Sequence, residues 1–196
     1  MRLFAIPDHP ELPAREAGGN MIEPKIVQAI KSQLFSVQSA TVFTILDGAS
    51  VPDLLANLAA FEPDYICLRR GEMEPDLAEV APYLVRLERD APFTDWVLAN
   101  GWERHWGIFG VAQADLRMLR NHFRAFLMVD HWRGNTVYFR YYDPRVLRSY
   151  LRTCDSESLT TLFGPVIWYL VEESQARGCK LMLRENALLT EILLLG

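Results

Sequence analysis

The densest group of polar side chains that could do chemistry is the string RYYDPR at residues 140–145. The residues before it favour a strand on which Arg140 and Tyr142 share one face, and Asp143 followed by Pro144 is typical of a helix start. An active site can be built where a strand meets a helix in this way. The structural alternative is that Arg140 pairs with a carboxylate and holds the strand to the helix, a role that suits a planar guanidinium. We expect this structural role for Arg140, Asp143 and Arg145.

Two other sites for chemistry are weaker. Cys154 stands beside Asp155 with histidines upstream, so a Cys–His nucleophile is conceivable; the alternative is an inert, half-buried thiol next to a helix cap. Asp47 and Asp53 are candidates for paired carboxylates or magnesium ligands. The alternative is that Asp47 is a turn residue at a strand end and Asp53 complements a helix dipole in its first turn.

The basic side chains admit two interpretations as well. His122 and His131 are candidate acid–base groups, although histidines with ordinary packing roles are the simpler expectation. Arg117, Arg120 and Arg124 follow one another on a predicted amphipathic helix and could bind phosphates. On an acidic chain, however, we expect them to form a solvated helix face.

Motifs with a known mechanism are missing from the sequence. There is no phosphate-binding P-loop, no dinucleotide fingerprint, no nucleophile elbow, no HExxH and no EF-hand loop. The four histidines have no metal-ligand spacing, and the three cysteines have no CxxC pair. We therefore expect no metal, no cofactor and no enzymatic activity.

Composition narrows the class of protein. The chain has 196 residues, half of them hydrophobic, with a net charge of −5 and a pI near 5.4. This composition predicts a folded domain and lacks the basic footprint of a nucleic-acid-binding protein. The apolar N-terminal stretch is broken by Pro7 and Asp8, and the run at 162–171 is too short to span a membrane. We expect no membrane partner, and a reducing, cytoplasmic location.

Hydrophobic patterning predicts an α/β (mixed α+β) fold: one domain with a mixed sheet flanked by helices. Strand-like residues at 41–46 and 65–68 enclose a helical segment, which suggests a parallel βαβ unit. A Gly134-Asn135 turn predicts a hairpin between 127–131 and 136–142. We divide the chain into an N-terminal arm (1–19), the main domain (20–166) and a C-terminal appendage (167–196).

Five stretches resemble a known family: TILDGA (44–49), APYLVRL (81–87), WGIF (106–109), FRYYDPRVL (139–147) and FGPV (163–166). Together they are similar to the effector adaptor/chaperone domain of bacterial type VI secretion, the Tap or TEC type. The similarity runs from about residue 41 to 166. The chain differs from that family in its short C-terminal part and in its additional N-terminal helix and arm.

The resemblance implies a cytoplasmic adaptor that binds a toxic effector, often through the effector's N-terminal segment, and helps to load it onto the VgrG spike. Binding would bury an apolar effector segment in a groove. We expect the groove framework or partner contacts to be formed by seven residues: Asp47, Tyr83, Trp106, Arg140, Tyr142, Asp143 and Arg145.

Three points stay open at this stage. Trp96, Trp102, Trp106 and Trp132 are candidate interface anchors or core residues. The apolar tail at 188–195 can dock on its own domain, form a homodimer contact or receive a partner helix. The alternative functions are a small hydrolase that uses Asp47, His131 or Cys154, and an immunity protein that inhibits a toxin.

Overall fold

The computed structural model describes residues 22–130, 135–173, 179–185 and 188–193. The N-terminal arm, the turn at Gly134 and the tail beyond residue 193 lie outside these ranges, as do His131 and Trp132. The described residues form seven helices: Pro24–Leu34 (α1), Leu54–Phe61 (α2), Pro75–Glu79 (α3), Pro92–Gly101 (α4), Leu116–Arg124 (α5), Pro144–Leu151 (α6) and Ser156–Phe163 (α7). They also form nine strands: Thr41–Asp47 (β1), Tyr65–Cys67 (β2), Pro82–Leu87 (β3), Gly107–Ala112 (β4), Met128–Asp130 (β5), Thr136–Tyr138 (β6), Val166–Glu172 (β7), Cys179–Glu185 (β8) and Leu188–Leu193 (β9).

Seven strands make one sheet in the order β2-β3-β1-β4-β7-β8-β9, and β5 and β6 pair separately. The predicted α/β class is confirmed. The predicted mixed sheet with a parallel βαβ unit is wrong, because every pairing in the described residues is antiparallel. Strands β1 and β2 do run in the same direction, but β3 lies between them and pairs with both.

Two apolar cores cover the two faces of the sheet. Alternate residues of β1 point to opposite sides, so that Phe43 and Ile45 pack with α5, α6 and α7, whereas Val42 and Leu46 pack with α1, α2 and α4. Both faces are therefore buried, which explains why apolar residues occupy successive positions in β1, β3 and β4. The result is a three-layer arrangement with the sheet in the middle.

The C-terminal strands belong to this sheet. β7 pairs with the central strand β4, and β8 and β9 extend the sheet to its edge. The prediction of an appendage from residue 167 is therefore wrong in structural terms: β7 has buried residues in both cores. The apolar tail docks on its own domain as β9, although Leu188 and Ile192 remain exposed.

No helix in the described ranges has the length and apolar character needed to cross a membrane.

Candidate functional site

The antiparallel register gathers several of the predicted site residues at one end of the sheet. Leu46 pairs with both Tyr83 and Gly107, so β1 ends where β3 and β4 begin. The Asp47 amide donates to the Trp106 carbonyl at 2.8 Å. We call this region the polar end of the sheet, and define it by Asp47, His105, Arg140, Asp143, Arg145 and Glu172.

Asp47 is a buried carboxylate of the polar end that accepts three hydrogen bonds. Its Oδ1 accepts from the Ala49 amide at 3.2 Å, and its Oδ2 accepts from the Ser50 hydroxyl and from Arg140 Nη2, both at 2.6 Å. The following Gly48 donates its amide to the Ala81 carbonyl, and a Cβ at Gly48 would overlap backbone oxygens of Glu79 and Ala81. The Asp-Gly pair of the sequence thus provides both the acceptor and the close backbone approach.

Arg140 supplies the positive charge for Asp47 across the fold. Burial by itself would lower the pKa of Arg140, but the charge of Asp47 and its hydrogen bond raise that pKa overall. The predicted pairing of Arg140 with a carboxylate is confirmed. Its partner, Asp47, lies on β1, so the ion pair joins the sheet to the segment before α6. The side chain of Arg140 is 43% exposed, so it reaches solvent while it binds Asp47.

Asp143 caps α6, as the sequence predicts. Its Oδ1 accepts from the Arg145 amide and from Arg145 Nε, both at 3.0 Å, and its Oδ2 accepts from Arg145 Nη2 at 2.7 Å. Burial raises the pKa of the Asp143 carboxyl, but the hydrogen bonds and charge of Arg145 outweigh this effect and lower the pKa. A carboxyl held ionised in this way suits a structural ion pair rather than proton donation at neutral pH.

Sequence reasoning missed an acid–base pair at the same end. The Glu172 carboxylate accepts from the His105 amide at 3.0 Å, and its Oε2 lies 2.8 Å from His105 Nδ1. Burial raises the pKa of Glu172 in spite of His105, and the charge of Asp143 adds to the rise. The only signal in the sequence was the placement of two acids directly after the apolar run of β7. The second acid, Glu173, forms an ion pair with Arg148 at 3.0 Å.

The three aromatic residues predicted for the site, Tyr83, Trp106 and Tyr142, are buried in the fold and are not exposed to a partner. Trp106 is buried and its ring centroid lies 5.4 Å from that of Trp96. The Tyr83 hydroxyl donates to the Ala78 carbonyl at 2.9 Å, and burial, reinforced by Cys67 and Tyr65, raises the pKa of Tyr83 to about 12. Tyr142 is buried as well.

The predicted strand over 136–142 is wrong beyond Tyr138, and this difference changes the surroundings of Tyr142. The strand β6 ends at Tyr138, and the Asp143 amide donates to the Arg140 carbonyl at 3.0 Å, which turns the chain into α6. Alternation therefore stops before Tyr142. Instead of sharing one strand face with Arg140, Tyr142 is buried against Tyr141, with ring centroids 5.7 Å apart.

The remaining tryptophan candidates are also largely internal. Trp102 is buried and lies 5.8 Å from Phe109 between ring centroids, and Trp96 is half-buried. Trp102 and Trp106 thus belong to the core, as the structural alternative predicted.

The candidate nucleophile and the candidate metal residues have ordinary surroundings. Cys154 Sγ donates to the Tyr150 carbonyl at 3.3 Å, and burial raises the pKa of this thiol to about 11. Asp53 precedes α2 in a left-handed conformation and makes no capping hydrogen bond through its side chain. Across the described ranges, no cluster of three histidine, cysteine, aspartate or glutamate side chains is arranged to hold a metal ion.

The arginine-bearing helix α5 differs from its prediction. Arg117 is exposed, but Arg124 donates from Nε and Nη2 to the carbonyls of Cys67, Leu68 and Arg69 at 2.7–3.0 Å. The expectation of a fully solvated arginine face is therefore wrong for Arg124, which stabilises the chain where β2 ends. His122 lies 3.0 Å from the Leu162 carbonyl through Nε2 and has a pKa lowered by burial.

The comparisons with known proteins add one identification. No curated protein and no solved structure significantly matches the chain. The family model of the domain of unknown function DUF4123 matches residues 42–161, from the second residue of β1 into α7. This interval includes four of the five stretches that define the resemblance, as well as both ion pairs of Asp47 and Asp143. Since the match covers more than half of the sequence, the chain belongs to the DUF4123 family.

Proposed function

We propose that this protein is a type VI secretion adaptor that binds a toxic effector in the cytoplasm and helps to load it onto the VgrG spike. Membership of the DUF4123 family, together with the resemblance of its motif series to effector adaptors, supports the assignment. The observation that carries it is the state of the charged residues in FRYYDPRVL: Arg140 is paired with Asp47, and Arg145 with Asp143, within the fold.

The protonation of these groups favours a binding scaffold over a catalyst. The lowered pKa of Asp143 keeps it ionised, and its three hydrogen bonds all come from Arg145. A general acid or base at neutral pH needs a pKa near 7 and an unengaged position beside substrate. The raised pKa of Cys154 likewise disfavours the thiolate that a nucleophile requires.

The framework connects parts of the chain that an adaptor must hold in register. The Arg140–Asp47 pair joins the segment before α6 to the interior strand β1, and Asp143 fixes the first turn of α6. A preformed surface lowers the entropic cost of binding a flexible partner segment. We therefore assign Arg140, Asp143 and Arg145 to positioning the surface, with the partner bound elsewhere.

The experiment is co-expression with the toxin encoded beside this chain's gene and, separately, with the neighbouring VgrG. A stable complex with the toxin, and recruitment of that complex by VgrG, are expected. Failure to bind either protein would contradict the proposal. The toxin's activity in the complex distinguishes the immunity alternative, because an inhibitor abolishes that activity whereas an adaptor leaves the catalytic part functional after release.

A further inference from the structure

A groove of about 510 Å³ is lined by the segment after β2 and by residues around β5 and β6, and none of the residues that define the polar end lines it. Arg124 at the end of α5 and Leu77 of α3 are among the lining residues. Its apolar lining comes from six aliphatic side chains, Leu68, Met73, Leu77, Ala125, Leu127 and Met128, together with the ring of Tyr138. We call it the arginine groove because Arg69, Arg70 and Arg124 also line it.

The apolar lining is accessible to a partner. Met128 is 55% exposed, and Leu77 and Tyr138 are exposed as well. Exposed apolar side chains gathered in a concave site are typical of peptide-binding surfaces, and methionine adapts its shape to different partners. The Arg69 guanidinium lies 5.6 Å from the centroid of the Tyr138 ring, which places a cation beside the apolar wall.

The charge of the groove is opposite to that of the whole chain. Three arginines and one acid, Glu72, line it, although the net charge of the protein is −5. Within the part of the chain that the structure describes, no acidic side chain lies within ion-pair distance of Arg69, Arg70 or Arg124. Burial lowers the pKa of Arg124, and the neighbouring charges of Arg120 and Arg70 lower it further.

The position of Arg124 is fixed by the backbone, which makes the positive charge part of the groove's architecture. Its three hydrogen bonds go to carbonyl oxygens, which do not neutralise the guanidinium. An acidic partner would supply the missing opposite charge while apolar side chains beside it enter the lining. Such charge complementarity sets both the association rate and the choice of partner.

We propose that the arginine groove binds an amphipathic segment of the effector that carries apolar side chains on one face and aspartate or glutamate on the adjacent face. This inference rests on the proposed adaptor function and names the surface and the chemistry of the bound segment. Apolar side chains would contact Leu77, Met128 and Tyr138. The acidic side chains would pair with Arg69 and Arg70 at the rim.

The first test uses defined peptides and needs no effector. A fluorescent peptide of about 14 residues, roughly 20 Å long as a helix, carries Leu and Glu on adjacent faces. Two matched peptides replace every Glu by Lys or every Leu by Ser. Saturable anisotropy is expected for the Leu/Glu peptide, with affinity at least about tenfold weaker for each of the other two. Equal binding of the Leu/Lys peptide would overturn the proposal.

Variants locate the binding. Arg70→Glu and Met128→Glu change exposed groove residues and should weaken the Leu/Glu peptide by about tenfold each. Arg117→Glu and Met118→Glu are the matched controls, because both residues are exposed on α5, outside the groove, and Met118 is 57% exposed. The controls should stay within about twofold of the wild type. Circular dichroism verifies that all four variants fold.

The second test separates this inference from the adaptor function. The neighbouring toxin is captured by wild type, by the R70E/M128E double variant and by the R117E/M118E double variant. Loss of capture by the groove variant alone supports the proposal. Equal capture by all three contradicts the groove and leaves the adaptor function standing. No capture by the wild type contradicts the adaptor function. In that case the peptide titrations alone test whether the arginine groove binds an acidic amphipathic segment.

Discussion

Arg140 Nη2 lies 2.6 Å from Asp47 Oδ2, although the two residues are 93 positions apart in the sequence. Asp47 ends the interior strand β1, and Arg140 lies in the turn that leads into α6. The carboxylate is nearly inaccessible, whereas the guanidinium reaches solvent on one side. This single contact connects the sheet with the FRYYDPRVL segment and keeps the polar end in one arrangement.

Replacing Asp47 by alanine should destabilise the fold. The change removes the acceptor for Ser50, Ala49 and Arg140 at a buried position, which we expect to cost about 2–3 kcal/mol in the free energy of unfolding. Urea denaturation measures the loss. Asp90→Ala, at an exposed position, is the control and should stay within about 0.5 kcal/mol of wild type. An unchanged midpoint for D47A would contradict the structural role of the pair.

The lowered pKa of Asp143 predicts a dependence of stability on acid. A carboxyl whose pKa is lower in the folded than in the unfolded chain stabilises the fold above its unfolded pKa, near 3.8, and this stabilisation is lost as the pH falls through the folded value. Asp143→Asn should lower the free energy of unfolding by about 1–2 kcal/mol at pH 7.

The measurement for Asp143 is the difference between wild type and D143N in urea at several pH values. That difference should be constant from pH 7 to about 5 and shrink below the unfolded pKa of 3.8. A difference that grows with acidification would show that the carboxyl is destabilised in the fold, against the geometry.

Glu172 should have the opposite pH dependence. Because burial raises its pKa, the folded state favours the protonated form, and stability falls as the pH rises from the unfolded pKa of 4.5 through the folded value. Glu172→Gln removes this ionisation and keeps the shape. The stability of E172Q relative to wild type should therefore increase between pH 4.5 and neutrality. A relative stability that decreases over this interval would mean that His105 outweighs burial.

Cys154 should react slowly with alkylating reagents. A pKa raised from 9.0 to about 11 lowers the thiolate fraction by about a hundredfold at neutral pH. The measurement is iodoacetamide labelling of a C67S/C179S variant, followed by mass spectrometry, with the urea-unfolded chain as the control. The rate should rise about tenfold per pH unit up to pH 10. Rapid labelling at pH 7 would support the hydrolase alternative.

Local features of this fold were readable from the sequence. The Asp143-Pro144 and Asp155 helix starts are present as predicted, because a cap side chain acts on the residues next to it. The pairing of β5 with β6 follows the same logic, since the two strands lie close together in the sequence. These interactions involve few intervening residues.

Long-range pairing was not readable. The sequence predicts a carboxylate partner for Arg140, but nothing near Arg140 identifies Asp47, and nothing near His105 identifies Glu172. In the structure, β3 lies between β1 and β2. Because the strands have similar apolar sequences, their hydrophobic patterns are compatible with several sheet orders and do not identify this one. For the same reason the apolar tail was recognised as hydrophobic, while its pairing as β9 was one of several open alternatives.

The most direct measurement of the central claim is delivery of the toxin in the bacterium that encodes this chain. Deleting the gene should abolish the toxin in the culture supernatant while VgrG is still secreted, and the wild-type gene should restore it. The R70E/M128E variant should fail to restore it, whereas R117E/M118E should succeed. Undiminished toxin delivery in the deletion strain would contradict the adaptor account.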